Sequence, residues 1–348
     1  MGRTWPNPSV GCVIVKNNQI IGRGTTADGG RPHAEVVALG QAGDNAHGAT
    51  AYVTLEPCAH TGKSPPCSDA LIISGIARVV AAVSDHDPRV DGKGFKALKA
   101  AGIEVVTGVM ADEAAHDHSG FFLSLSPKRP FVTLKMATSF DGRIATASGQ
   151  SKWITDEPAR RLVHVMRSRH DAVMVGGGTA RLDDPSLNVR NLGIEHQPVR
   201  IVVSRNLNLP DDSILARTAW QNPLWICHSQ DVKFAEIQKW QNFGAKLIEC
   251  DGKDGLLDLK DAMASLASLG LTRIFCEGGG ALAASLIQSD LVDALIGFGA
   301  GVLIGSEGQP CIGALGLDDL TSAKRWDLED LHKIGPDIIH KWRRRSLG

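Results

Sequence analysis

Short apolar, β-branched runs alternate along this chain with stretches whose apolar residues fall at helical spacing. Val10 to Val15 is the first such run, and Lys16-Asn17-Asn18-Gln19 carries turn chemistry into Ile20-Ile21. Ala34 to Gly40 then reads as a helix, Ala49 to Leu55 as a strand and Ser68 to Ser74 as a second helix. Ala77 to Val83 predicts a buried strand. A helix over Gly94 to Ala101, a strand over Gly102 to Thr107 and a polar helix over Ala111 to His118 follow. This alternation predicts a three-layer α/β domain.

Phe121 to Arg129 interrupts the pattern with Ser, Pro and basic residues. The domain boundary is expected there, with residues 1–124 as one domain and 128–348 as a second. The second half restarts with a strand from Phe131 to Ala137. A helix over Glu157 to Arg169 precedes strands at Asp171 to Val175, Val199 to Val203 and Leu224 to Cys227. Next come a helix over Val232 to Asn242, a strand at Lys246 to Glu249, a helix over Leu256 to Leu269 and a strand at Arg273 to Cys276. The helix Ala281 to Ile287 and the strand Val292 to Phe298 close the series, and the basic run Lys341 to Arg345 reads as a solvated tail.

Composition changes this picture little. A length of 348 residues suits two domains. The 37 Lys and Arg nearly cancel the 38 Asp and Glu, so no strong field calls for nucleic acid or an anionic membrane. No apolar run approaches transmembrane length, and no signal-peptide pattern opens the chain. Seven cysteines is an odd count without the dense spacing of a disulfide framework. The sequence reads as a cytoplasmic protein with reduced thiols, and homo-oligomerisation is left open.

The chemistry concentrates between Gly30 and Cys67. Pro32-His33-Ala34-Glu35, Glu56-Pro57-Cys58 and Pro65-Pro66-Cys67 supply one histidine and two cysteines. Three such ligands suit Zn²⁺ with the fourth position left open, which separates a catalytic zinc from a structural one. Pro32 and Pro66 sit where helices begin, so the dipole favours thiolate at Cys58 and Cys67. Glu35, two residues beyond His33, is placed to handle protons without being a ligand. The ordered H-x-E…P-C pattern with a second cysteine is the signature of zinc nucleobase deaminases. A structural zinc would want a fourth protein ligand, and His60 is the one residue with suitable local spacing.

Two glycine-rich turns follow strands in the second half: Val175-Gly176-Gly177-Gly178-Thr179 and Cys276-Glu277-Gly278-Gly279-Gly280. Glycines there let backbone N–H groups approach a phosphate at a helix N-terminus. Taken alone, either turn reads more often as just a tight connection. Neither fits G-x-G-x-x-G, so a Rossmann fingerprint is not supported.

Eight residues separate Cys58 from Cys67, a departure from the compact P-C-x-x-C. Glu56-Pro57-Cys58-x-His60-x-Gly62-x-x-Pro65-Pro66-Cys67 and Pro6-Asn7-Pro8-Ser9-Val10-Gly11 resemble the deaminase half of the bifunctional riboflavin-biosynthesis deaminase/reductase family. The stretches Pro130 to Arg143, Ser148 to Thr155 and Thr179 to Pro185 resemble its reductase half. The resemblance implies a cytidine-deaminase-like N-terminal α/β domain and a dihydrofolate-reductase-like C-terminal α/β domain that uses NADPH. The implied substrate is 2,5-diamino-6-ribosylamino-4(3H)-pyrimidinone 5′-phosphate, which is deaminated before its ribosyl chain is reduced to ribityl.

The resemblance also implies roles. Asn7, His60 and Lys63 would line the deaminase pocket. Ala137, Trp153, Thr179, Asp183, Gly279, Gly280, Ala281, Leu282, Ala283, Ala284 and Ser285 would contact NADPH. Ser151, Arg167, Leu187, Arg190 and Glu277 would hold the ribosyl-phosphate substrate, for which arginine's fork is suited. Asp183 is the expected proton-steering residue of the reductase, with Lys135 second. Members of the family carry an amphipathic helix before the Pro-Asn-Pro segment; only Met1 to Trp5 precedes it here, so that helix is expected to be absent. Ser204-Arg205 replaces an Asp-Ser pair, which would bring Arg205 near the cofactor's 2′-phosphate.

Two rivals remain. A deaminase of nucleic-acid bases shares the zinc chemistry, but a net charge of −1 and 5% aromatic residues argue against it. A non-catalytic nucleotide-binding scaffold with a structural zinc is opposed by Glu35 beside a three-ligand site.

Overall fold

The computed structural model describes residues 1–62, 64–253 and 255–345. The chain divides into two units, with the cut between Lys128 and Arg129. The first runs β1 (Gly11–Lys16), β2 (Gln19–Thr25), α1 (Ala34–Ala42), β3 (Thr50–Leu55) and α2 (Cys67–Ile73). It continues through β4 (Arg78–Val83), α3 (Lys93–Ala100), β5 (Glu104–Thr107) and α4 (Ala111–Leu125). Among the described residues its sheet has five strands, ordered β2-β1-β3-β4-β5. β1 pairs antiparallel with β2 and β3, while β3, β4 and β5 run parallel.

Burial explains the layering. β4 is buried at Val79, Val80, Ala81 and Ala82, as a parallel strand covered on both faces must be. β3 instead alternates, with Ala51, Val53 and Leu55 inside and Tyr52 and Thr54 outside. Ile14, Ala38, Leu71, Val79 and Leu98 meet in the core. Small residues bring α1 onto the sheet: a Cβ at Gly24 would lie 2.1 Å from the carbonyl oxygen of Ala34. This close approach fixes where His33 and Glu35 stand. α4 runs unbroken to Leu125, so Phe121 to Leu125 prolong a helix where the sequence suggests a linker. Phe122 stacks on His86 with ring centroids 4.0 Å apart, which holds that last stretch in the helix.

The second unit opens with β6 (Phe131–Thr138), β7 (Arg143–Ala145), α5 (Glu157–Ser168), β8 (Ala172–Gly176), α6 (Gly177–Asp183) and β9 (Val199–Val203). It continues with α7 (Ile214–Arg217), β10 (Leu224–Ser229), α8 (Phe234–Asn242), β11 (Lys246–Cys250), β12 (Gly252–Lys253), β13 (Leu256–Leu257) and α9 (Leu259–Ser268). β14 (Arg273–Cys276), α10 (Gly280–Gln288), β15 (Ala294–Gly299), β16 (Gln309–Pro310), β17 (Trp326–Ile334) and β18 (Asp337–Arg344) complete it. Among the described residues its main sheet has nine strands, ordered β11-β10-β9-β8-β14-β6-β15-β18-β17. Pairing is parallel from β11 to β15 and antiparallel for β18 and β17. β8, β10 and β14 are buried almost end to end, again because both faces are covered. Among the described residues, no helix is long and apolar enough to cross a membrane.

The second unit also departs from the sequence expectation. Leu256 starts no helix: the Asp258 side chain accepts from the Lys260 N–H at 2.8 Å, so the capped helix begins at Leu259. Lys341 to Arg344 is no tail but the end of β18; Arg344 pairs with Asp290, and β17 answers the other charges of the basic run. Lys341 lies 3.1 Å from Asp330, Arg343 2.7 Å from Glu329, and Arg345 2.6 Å from Asp327. A run as polar as β17 becomes a stable strand only beside a partner of opposite charge.

His170, just past α5, places Nδ1 2.8 Å from the Met166 carbonyl oxygen and Nε2 3.0 Å from Thr133 Oγ1. Burial holds its imidazole down at about 4. The neutral ring's contribution to stability is therefore whole above about pH 6.5 and lost as pH falls through about 4. At roughly 1.4 kcal/mol per pKa unit, the second unit should lose up to about 3 kcal/mol over that window. Urea unfolding at several pH values should show a flatter acid slope in His170→Gln. An unchanged slope would exclude this histidine as the cause.

Candidate active sites

His33 occupies the N-cap of α1, Cys67 is the first residue of α2, and Cys58 follows β3. His33 Nδ1 lies 3.2 Å from Cys67 Sγ and 3.6 Å from Cys58 Sγ. All three ligand atoms fall within 4.8 Å of one another. Zn–S and Zn–N bonds of about 2.3 and 2.0 Å in a tetrahedron would set such atoms roughly 3.5–3.8 Å apart, so the cage fits the ion. Among the described residues His60 does not join this group, which leaves a fourth position open. The His60 Nδ1 is instead buried with no hydrogen-bond partner.

The cage polarises its own ligands. The Cys58 thiol is pulled down to about 4 by its hydrogen bond with Cys67, then by His33 and by the Cys67 N–H, 3.3 Å from its sulfur. Cys67 is pushed up by the same bond to Cys58 and by burial, so it retains the proton the two share. Its bond to Cys58 likewise raises His33. Glu35, in the first turn of α1, is 3% exposed, and burial lifts its carboxyl to about 6. A carboxyl that exchanges protons near neutrality is what general acid–base work needs.

The loops around the cage are cross-tied. Asn7 Nδ2 donates to the Gly30 carbonyl at 2.9 Å, which holds the turn ahead of His33. Arg31 donates to Ser64 Oγ and so joins the segments before His33 and before Cys67. Lys63 lies outside the described residues. Sequence reasoning missed two buried carboxylates, Asp85 and Asp87. Burial raises Asp85 to about 6, with the charges of Asp87, Glu56 and Cys58 adding to it. Arg89 holds Asp87 low, with Nε 2.9 Å from both carboxylate oxygens. Their signal in the sequence, an Asp-His-Asp-Pro stretch after a strand, reads equally as a turn.

In the second unit the C-terminal ends of β6, β8 and β14 open on a cleft of about 1380 Å³. Of the residues expected at the cofactor, Ala137, Trp153, Thr179, Asp183, Gly279, Gly280, Ala281, Leu282, Ala284 and Ser285 line it. Ala283 is fully buried and does not. Of those expected at the substrate, Ser151, Arg167, Arg190 and Glu277 line the cleft, while the Leu187 side chain packs in the core. The two glycine turns meet, with the Gly279 N–H donating to Thr179 Oγ1 at 3.2 Å. Arg205 is not among the described residues that line the cleft; its guanidinium donates to the Gly255 carbonyl instead.

Glu277 gathers the cations at the cleft. Arg167 Nε lies 2.5 Å from Glu277 Oε1 and Nη2 3.1 Å from Oε2, and Lys135 Nζ is 3.9 Å away. Burial pushes Glu277 up, but Arg167 and Lys135 outweigh it and hold the carboxyl below its ordinary value. Lys135 is pushed down by burial, which Glu277 only partly offsets. Asp183, the last residue of α6, is exposed at the rim. His164 was missed: it lines the cleft with Nδ1 3.2 Å from the Asn188 carbonyl oxygen, and is lowered to about 4 by burial and by Arg167. Helical spacing of Arg160, His164 and Arg167 was the available signal. Arg160 also stacks over Trp153 at 4.5 Å.

Comparison with known proteins agrees with both sites. The family described as "Cytidine and deoxycytidylate deaminase zinc-binding region" matches residues 1–83, and "RibD C-terminal domain" matches residues 130–340. The chain is 42% identical to riboflavin biosynthesis protein RibD of Haemophilus influenzae, over 96% of this chain and 91% of that one. It is 40% identical to RibD of Escherichia coli, over 96% and 93%. A solved structure of Acinetobacter baumannii RibD superimposes with a TM-score of 0.88 at 38% identity, covering 99% of this chain and 94% of the other. The deaminase/reductase of Thermotoga maritima does so with a TM-score of 0.85 at 31% identity, again over 99% and 94%. A three-ligand zinc cage with its buried glutamate, followed in one chain by a glycine-turn reductase cleft and matched nearly end to end by these relatives, places this protein in the RibD family of bifunctional riboflavin-biosynthesis deaminase/reductases.

Proposed function

We propose that the N-terminal unit deaminates 2,5-diamino-6-ribosylamino-4(3H)-pyrimidinone 5′-phosphate and that the C-terminal unit then reduces the ribosyl chain to ribityl with NADPH. The observation that carries this reading is the cage of His33, Cys58 and Cys67 with Glu35 buried beside it. Residues 1–124, with the end of α4, constitute the deaminase domain, and 128–348 the reductase domain. A small molecule is the partner throughout, and seven free cysteines suit work in the cytoplasm.

Bound in the cage, zinc supplies the Lewis acidity that lets water attack an electron-poor ring carbon near neutral pH. Glu35 takes a proton from that water and delivers one to the departing nitrogen, so ammonia leaves as the carbonyl forms. Asn7, His60 and Lys63 are assigned to the substrate by the family resemblance, and the buried His60 Nδ1 has no hydrogen-bond partner within the protein. In the second unit, NADPH supplies hydride for C1′ of the ring-opened imine. The two glycine turns, Ala137 and Trp153 receive the cofactor, while Ser151, Arg167, Arg190 and Glu277 hold the ribosyl phosphate and fix its orientation. Lys135, at Glu277 and pushed down by burial, is a better-placed proton source than the exposed Asp183.

Titration of the purified full-length protein tests the reading. One zinc per chain, ammonia release from the pyrimidine substrate and NADPH oxidation after deamination are expected. Tight zinc with no ammonia release would instead mark the metal as structural and overturn the proposal.

A further inference from the structure

Glu56 stands two residues before Cys58 and is 3% exposed. Its carboxylate accepts four backbone N–H groups: Oε2 from Asp85 at 3.3 Å and Gly92 at 3.0 Å, Oε1 from Gly94 at 2.9 Å and Phe95 at 3.3 Å. Gly94 and Phe95 lie in the first turn of α3, where N–H groups have no partner inside the helix. Capping that helix accounts for both bonds to Oε1 and for the N–H of Gly92, its N-cap residue, but not for the N–H of Asp85. Oε2 reaches to the two ends of the 85–92 loop, which carries Asp85 and Asp87.

The joint is tight on both sides of the cysteine turn. A Cβ at Gly94 would lie 2.0 Å from the Pro57 carbonyl oxygen, so α3 is pressed against the turn itself. The Glu56 N–H donates to the Val83 carbonyl at 3.0 Å. On the far side, the Cys58 carbonyl accepts from the Ser68 N–H at 3.1 Å. Cys58 is thus held between α2 and the segment that Glu56 gathers.

We infer that Glu56 is a positioning residue of the deaminase site: it locks the Asp85–Phe95 segment onto the Glu56–Cys58 turn. In doing so it sets the place of Cys58 in the cage and of Asp85 and Asp87 beside it. The inference rests on the deaminase reading given above, since the pocket it shapes is that enzyme's.

Glu56→Gln keeps the shape of the side chain but turns one acceptor into an NH₂ that faces two N–H donors. Whichever pair it breaks, one side of the joint opens. In the full-length, zinc-loaded enzyme kcat/KM for deamination should fall roughly 10–100-fold, as loss of a group that orients a metal ligand typically costs. KM should rise, and zinc should pass faster to a competing chelator, while NADPH oxidation with the deaminated substrate is unchanged. Gly94→Ala leaves the carboxylate intact and wedges α3 away from Pro57, so it should give the same signature.

A merely structural role would lower the yield of folded, zinc-loaded protein but leave the KM and the zinc release rate of that fraction at wild-type values. That result overturns the inference, as does failure of both variants to fold. Wild-type protein that binds zinc and releases no ammonia would overturn the deaminase reading alone. Zinc release from the variants would still decide the positioning role.

Discussion

Replacing either Cys58 or Cys67 with serine is expected to remove zinc and deamination together. The cage has three donors and, among the described residues, no fourth to take over. Serine offers a hydroxyl that stays protonated at neutral pH, whereas Cys58 is already held low by Cys67 and His33. Loss of groups that merely orient a ligand costs 10–100-fold in metal affinity, so loss of a ligand should cost more than about 100-fold. Elemental analysis after dialysis, with ammonia release on the same sample, is the measurement. Full zinc occupancy in either variant would sink the ligand assignment. NADPH oxidation with the deaminated pyrimidine should persist, because no residue of the reductase cleft belongs to the cage.

Glu35→Gln should separate the proton work from the metal. The carboxyl is buried and lifted to about 6, so the site already tolerates a neutral side chain of this shape. The variant should therefore fold and keep its zinc. What it loses is the ability to take and return a proton, a function worth about 10²–10⁴ in rate. Deamination should fall by at least that factor while zinc content holds. NADPH consumption with the already deaminated pyrimidine should stay near the wild-type rate. Undiminished deamination would take Glu35 out of the mechanism, and equal loss of both activities with zinc retained would mean that the two halves are coupled.

The zinc cage was legible in the sequence because its chemistry constrains residue type, order and local setting at once. His33, Glu35, Cys58 and Cys67 follow one another with prolines at the helix starts, and local backbone rules carry each to a helix N-terminus or strand end. Strand and helix alternation was legible for a similar reason, since β-branched runs buried on both faces leave a continuous apolar signature. The glycine turns were visible as turns, though only the cleft distinguishes Ala283, which packs in the core, from its neighbours that line the cleft.

Other features depend on partners far away in the chain, and no local pattern encodes them. β17 is too polar to read as a strand until Lys341, Arg343 and Arg345 stand opposite its acids. The sequence alone ranks Asp183 ahead of Lys135 as the proton-steering residue. Folding packs Lys135 against Glu277 and leaves Asp183 at the rim, and burial pushes the lysine down by more than Glu277 offsets. Glu56 looks like one more residue of the cysteine motif until the chain returns at Asp85, Gly92, Gly94 and Phe95 to place four N–H groups on its carboxylate. The sequence by itself determined which atoms can hold a metal or a phosphate, because that is a property of side-chain chemistry. Which of them are buried, paired and aimed was decided only by the tertiary structure, because desolvation and hydrogen bonding are set by whatever the fold packs against them.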